Sequence, residues 1–392
     1  MYLDHNAGGR VRAEAASAVS ELLREGLANP SSVHAAGRAA RARLEAARDE
    51  VAALVGARSD EVVFTSGGTE ANNLAVLGIA DPGVHVVATP IEHASLLRAL
   101  ERAQAAGMSV DFAPVGATGR VSAAAVAGLV GASTRLVSVG WANGEIGTVQ
   151  PIAEIVAAVR ARSLGRRVLC HSDAVQAAGL CAIDVAAVDL DLLSLSAHKL
   201  GGLPGAGAIV VRRGTVLAPQ LLGGPQERER RAGTENLPGI VAFGVAARLA
   251  RAEREGFARL AAARREALWR MLAETAQPIV RLSPDDGLPN TLAVSFPGLR
   301  GDALVIALDL AGVATSSGSA CAAGAAEPSH VVRALATSEE IARGALRLSF
   351  GSDLTAEGAR SAAAAIAETV RRARAAAPER RPATASGGSR AA

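Results

Sequence analysis

Short apolar runs recur along the first two hundred or so positions, separated by amphipathic stretches. The runs at 61–65, 84–88, 136–139, 168–170, 190–195 and 206–211 do not alternate, so they read as strands buried on both faces. Positions 35–55 read as a helix stopped by Gly56, and a second helix follows from Glu70. Strand and helix in alternation argue for a mostly parallel sheet covered on both sides. From 238 to about 276 the pattern is one long, charged amphipathic helix. Beyond it, 290–296 alternates as a half-buried strand. A helix, a Ser/Gly/Ala loop, a strand at 345–350 and a last helix follow.

This change of texture divides the chain. The expected organisation is a larger α/β domain over 13–256 and a smaller α+β domain built from 1–12 and 257–376. The low-complexity tail over 377–392 is expected to be disordered. The 392 residues suit two such units, at about 150 residues per domain. No internal repeat is visible.

Composition narrows the classes of function. Apolar residues make up 49% and charged ones 20%, which excludes a disordered chain. Aromatics at 2% argue against a stacking platform for single-stranded nucleic acid. The net charge of +3 is misleading, because six arginines and only Glu379 as an acid lie beyond Val370. The rest of the chain is about two charges negative and offers no basic stripe for a duplex, so no nucleic-acid partner is expected. Cys170, Cys181 and Cys321 make no disulfide framework. The first residues lack the basic and apolar segments of an export signal, and no apolar run is long enough to cross a bilayer. The expectation is a soluble, cytoplasmic protein without a membrane partner.

Of the 41 basic residues, a single one, Lys199, is lysine. A chain that uses arginine wherever a fixed positive charge serves has kept one amine. An amine can lose its proton and form a Schiff base, which guanidinium cannot. Lys199 follows a buried strand in Leu195-Ser196-Ala197-His198-Lys199-Leu200-Gly201-Gly202. The carboxyl ends of strands are where ligands sit in open α/β sheets. Asp173 ends an earlier strand, with Gln176 three residues on. Ser66-Gly67-Gly68-Thr69 joins a strand to a helix N-terminus, whose N–H groups suit an anion. A phosphate cup, a Schiff-base lysine and a carboxylate for a pyridinium nitrogen are together what pyridoxal 5'-phosphate (PLP) requires.

These segments resemble the cysteine desulfurases of the NifS/IscS group, within the class V aminotransferase family. The resemblance is carried by Tyr2-Leu3-Asp4-His5-Asn6-Ala7, Thr65-Ser66-Gly67-Gly68-Thr69-Glu70, Glu92-His93 and Asn143-Gly144-Glu145-Ile146-Gly147. It continues through Asp173-Ala174-Val175-Gln176, Ser196-Ala197-His198-Lys199, Arg231-Ala232-Gly233-Thr234 and Ser316-Ser317-Gly318-Ser319-Ala320-Cys321. It implies a PLP-dependent transferase fold of type I: a large α/β domain with a mostly parallel seven-stranded sheet, and a smaller α+β domain.

The resemblance also implies roles. Lys199 would carry PLP covalently and shuttle protons, and His93 would stack on the ring and assist proton transfer. Asp173 would pair with the ring nitrogen. Gln176 would bond the phenolic oxygen, with Asn143 as an alternative donor. Gly68, Thr69, Ser196 and His198 would hold the phosphate, and Thr234 would reach the site of the other subunit of a homodimer. Arg347 would grip the substrate carboxylate. Cys321 would take sulfur from L-cysteine as a persulfide, leaving L-alanine, and hand it to an acceptor such as an iron–sulfur scaffold. No metal is implied.

The motif before Cys321 and its spacing to Glu327-Pro328-Ser329 resemble the long-loop class. Three departures stand out: Gly144 replaces a second asparagine, Gly8-Gly9-Arg10 replaces Thr-Thr-Pro, and Ala197 replaces a common glycine. Two other readings of the same residues are a selenocysteine lyase or other PLP lyase or aminotransferase of this fold, and a non-catalytic scaffold.

Overall fold

Runs of apolar residues without alternation become strands with both faces covered. The computed structural model describes residues 1–162, 165–318, 328–335 and 337–376. Cys321 and the arginine-rich tail therefore lie outside the described residues. Seven strands form the large sheet: β1 (Val62–Thr65), β2 (His85–Ala88), β3 (Ser109–Phe112), β4 (Thr134–Ser138), β5 (Leu169–Asp173), β6 (Leu192–Ser196) and β7 (Gly207–Val211). Their order is β1-β7-β6-β5-β4-β2-β3. Only β7 is antiparallel to its neighbours, β1 and β6, so the other six strands point one way. Strand β3 is exposed at the sheet edge and carries no apolar run, which is why the hydrophobic pattern misses it.

A second sheet has the order β10-β9-β8, from β8 (Val280–Arg281), β9 (Thr291–Ser295) and β10 (Ala345–Ser349), all antiparallel. The 39-residue helix Leu237–Thr275 serves both halves of the chain. Ile240, Phe243, Ala246, Ala247 and Ala250 enter the core around the large sheet. Further along, Ala261, Leu268 and Leu272 enter the core of the small sheet with Phe296, Leu346 and Phe350. Leu3 joins that second core, because the N-terminal residues run parallel to β10, with Asp4 bridged to Ser349.

Strand β1 closes one edge of the large sheet, where unpaired backbone groups would otherwise be stranded. A buried ion pair covers them. Arg48 donates to both carboxylate oxygens of Glu227 at 2.7 and 2.8 Å and to the Val62 carbonyl at 2.9 Å, and Phe64 N–H donates to Glu227 at 2.7 Å. Both side chains are 1% exposed. The pair also holds a turn in which Glu227, Arg228 and Glu229 all have left-handed φ (46°, 57° and 62°), a conformation that costs roughly 1–2 kcal/mol per non-glycine residue. Glu227→Ala would leave Arg48 charged and buried with β1 uncovered. We expect it to lower unfolding free energy by about 3–5 kcal/mol, read as a shift of the denaturant midpoint; a loss below about 1 kcal/mol would contradict this role.

Candidate active site

Because the parallel strands share a direction, the polar residues at their carboxyl ends meet along one edge. There lies a cavity of about 450 Å³, bounded by the ends of β1, β2, β5 and β6 and by β10. It collects His93, Gly68, Thr69, Asn143, Asp173, Gln176, Ser196, His198, Lys199 and Arg347. Of the residues expected at the site, Thr234 lies elsewhere, on an exposed loop, and Cys321 falls outside the described residues.

Each side chain has a local reason for its pose. Asp173 ends β5, where its Oδ1 accepts from Val175 N–H at 2.9 Å and its Oδ2 from Asn72 Nδ2 at 2.7 Å. His93 caps the helix Ala94–Ala105, and its Nδ1 accepts from Ser95 N–H at 3.1 Å. A backbone N–H can only donate, so the neutral ring carries its proton on Nε2. Lys199 sits in the short turn after β6, and its amine donates to the carbonyls of Asn6 and Ala7, the latter at 2.8 Å. Gln176 Nε2 donates to the same Asn6 carbonyl at 3.0 Å. Ser196 Oγ and His198 Nδ1 lie 2.8 Å apart.

Asn143 faces the cavity while bracing its own loop. Its Nδ2 donates to Ile91 O at 2.9 Å, and its Oδ1 accepts from Glu145 and Ile146 N–H at 2.9 and 3.1 Å. A Cβ on Gly144 would lie 2.9 Å from the Gln176 side chain, which would have to shift to admit it.

The residues fit the cofactor that the sequence implies. At the glycine turn the backbone packs so closely that a Cβ on Gly68 would stand 2.7 Å from Val175. Open N–H groups in the first turn of the helix Gly68–Leu77 can then meet a phosphate. Beside this cradle lie the amine of Lys199 and a carboxylate fixed by two donors. Asn72 and Ser95, which link Asp173 to His93, were not anticipated from sequence; Asn72 Nδ2 also donates to Ser95 Oγ at 2.9 Å. Their only signal is an asparagine placed three residues after Thr69, on the same helix face.

Burial sets the protonation of the surrounding groups. Glu92, fully buried, is pushed up to about 7, chiefly by loss of water and further by Asp173. His171 and His198 are pulled down to about 4 by burial, with Lys199 adding to the effect on His198. Burial pushes the Cys170 and Cys181 thiols up to about 12 and about 11, which removes both as nucleophiles near neutrality.

The chain matches the aminotransferase class-V family over residues 1–361. It is 40% identical over 378 residues to a putative cysteine desulfurase IscS 1 of Bacillus subtilis (strain 168), covering 95% of this chain and 99% of that protein. To a cysteine desulfurase of Cereibacter sphaeroides it is 42% identical over 363 residues, covering 91% and 92%. Among solved structures, a NifS-like protein superposes with a TM-score of 0.88 at 32% identity, covering 95% and 99%. The structure described as SspA in complex with cysteine does so with 0.79 at 32%, covering 89% and 98%.

Buried His171 and half-buried His198 give a pH test. The folded chain takes up their protons only near pH 4, whereas an unfolded chain takes them up near 6.5. Between those values the unfolded state binds more protons, so this part of stability is present above pH 6.5 and lost as pH falls to about 4. We expect the ring NMR signals of His171 and His198 to stay in the neutral form from pH 8 to about pH 5. A titration midpoint above about 6 for either ring would contradict the assignment.

Proposed function

The chain belongs to the aminotransferase class-V family, and from that premise we propose that it is a PLP-dependent cysteine desulfurase. The observation that carries the reading is the chain's single lysine, Lys199, in one cavity with a carboxylate held by two donors and a glycine turn at a helix N-terminus. The net reaction balances: the C–S bond of L-cysteine breaks, an S–S bond forms on Cys321, and the thiol proton accounts for the hydrogen that L-alanine gains at its Cβ. When bound, PLP supplies an electron sink for charge that develops on the substrate's carbon atoms.

The protein's part is binding, orientation and proton transfer. Gly68, Thr69, Ser196 and His198 hold the phosphate, with the neutral His198 able to serve without adding charge. Asp173, its two oxygens oriented by Asn72 and the Val175 N–H, would face the ring nitrogen. Gln176, and Asn143 through its loop, would serve the phenolic oxygen of the cofactor. Arg347 takes the substrate carboxylate. The Lys199 amine would hold the cofactor and move protons, and His93, in the same cavity, would assist those transfers through Nε2.

Cys321 receives the sulfur and passes it to an acceptor protein. We place Thr234 in the neighbouring subunit of a homodimer. Support comes from its exposed loop and from Leu221 and Leu222 beside it, at 46% and 82% exposure, with Ala232 N–H bonded to Leu221 O at 3.2 Å. Leu222→Glu is expected to shift sedimentation toward monomer; a parent chain that is monomeric and fully active at micromolar concentration would sink the dimer.

Two substitutions separate holding the cofactor from transferring sulfur. Lys199→Arg keeps the charge but offers no amine, so the visible absorbance of the PLP-loaded chain should vanish. Cys321→Ser should keep that absorbance and still lose sulfide release by about a hundredfold or more, since a hydroxyl is a poor nucleophile toward sulfur. Mass analysis after L-cysteine should find the added sulfur on the peptide with Cys321. Sulfur on Cys170 or Cys181, or full turnover by Cys321→Ser, would point to another PLP reaction.

A further inference from the structure

The guanidinium of Arg347 is not left to find its own orientation. Its Nη2 donates to Asp4 Oδ1 at 2.6 Å and its Nη1 to the Gly144 carbonyl at 3.1 Å, while its buried Nε has no partner. The side chains are 5% and 20% exposed. Arg347 lines the cavity and Asp4 does not, so Asp4 grips the guanidinium from outside the cavity.

Main-chain pairing puts Asp4 there. His5 N–H donates to Ser349 O at 3.1 Å and Ser349 N–H to Leu3 O at 2.8 Å, which sets Asp4 opposite Ser349, two residues from Arg347 and on the same strand face. Asn6 Nδ2 donates to the Gly144 carbonyl at 2.9 Å, which steadies the second anchor.

We infer that Asp4 is a positioning residue for substrate recognition. It holds the Arg347 guanidinium in one orientation at the cavity wall, with the Nη protons not taken by Asp4 and Gly144 left for the carboxylate of the amino-acid substrate. The inference rests on the proposed reading of Arg347 as the carboxylate-binding group. A free arginine gives up rotamer entropy when it binds, and an arginine fixed beforehand does not. The same carboxylate, acting only through its charge, would oppose a substrate carboxylate. The two roles therefore predict opposite signs.

Steady-state kinetics of the PLP-loaded enzyme with L-cysteine, and competitive inhibition by L-alanine, tell them apart. Asp4→Ala should raise KM, and the inhibition constant of L-alanine with it, by roughly tenfold, with kcat held within about twofold. Asp4→Asn keeps an oxygen that accepts from Nη2 and should stay within about threefold of the parent. Asp4→Ser, a second truncation, should behave as Asp4→Ala, and cofactor absorbance per chain reports that each variant is folded and loaded. A KM that falls or holds in both truncations, or an Asp4→Asn as impaired as Asp4→Ala, overturns the inference. Arg347→Ala separates the layers: if KM is unchanged there, the reading of Arg347 itself is wrong. If KM rises there while the Asp4 truncations leave it alone, the role of Asp4 alone is wrong.

Discussion

Strand direction is the constraint on which the site depends. With β1 to β6 pointing one way, every polar residue that ends a strand arrives at the same edge. The single reversal, β7, lets β1 join that edge beside β6. The glycine turn after β1 thus comes to the turn that bears Lys199, although the two are more than a hundred residues apart. The close packing of Gly207 on β7 against Gly67, where a Cβ would meet backbone at 2.5 Å, marks how tightly this corner is drawn. The Arg48–Glu227 pair covers the lateral edge of the sheet at β1 by taking the backbone groups that another strand would have taken.

Charge at the site is rationed by burial. His198 is held neutral beside the lysine, and Glu92 is raised toward neutrality beside Asp173. The groups left to act as ions are those with dedicated partners: Asp173 with its two donors, and Arg347 with Asp4 and a carbonyl. In a cavity of low dielectric an unpaired charge is costly. Each ion here is met by the protein on one side and faces the cavity on the other. That arrangement suits a zwitterionic amino acid and a phosphorylated cofactor, whose charges complete the pairing.

Residues that act by chemical type were legible in the sequence. Lys199, Asp173 and the glycine turn announce themselves because an unusual residue ends an apolar run, and the strands at 190–195 and 206–211 follow from burial on both faces. Relations between distant residues were not legible. Asp4 meets Arg347 across 343 positions because an N-terminal bridge pairs with β10, and nothing in either neighbourhood encodes that pairing. Asn72 and Ser95 resemble ordinary helix residues until the fold sets them between Asp173 and His93. Strand β3, polar and at an edge, and the two-residue β8 carry no hydrophobic period to find.

The departures from the family pattern fall into two physical kinds. Gly144 faces the Gln176 side chain. Gln176 fills the space where its side chain would be, so an asparagine there would need Gln176 to leave its bond to Asn6. Gly8 and Gly9 are under no such demand: a Cβ on Gly8 would touch nothing within 4 Å, and one on Gly9 would make an ordinary contact at 3.4 Å to His198 O. A side chain at 144 would thus displace Gln176, whereas positions 8 and 9, in the segment that follows Asn6 and Ala7, have room for one. Those two carbonyls receive the Lys199 amine.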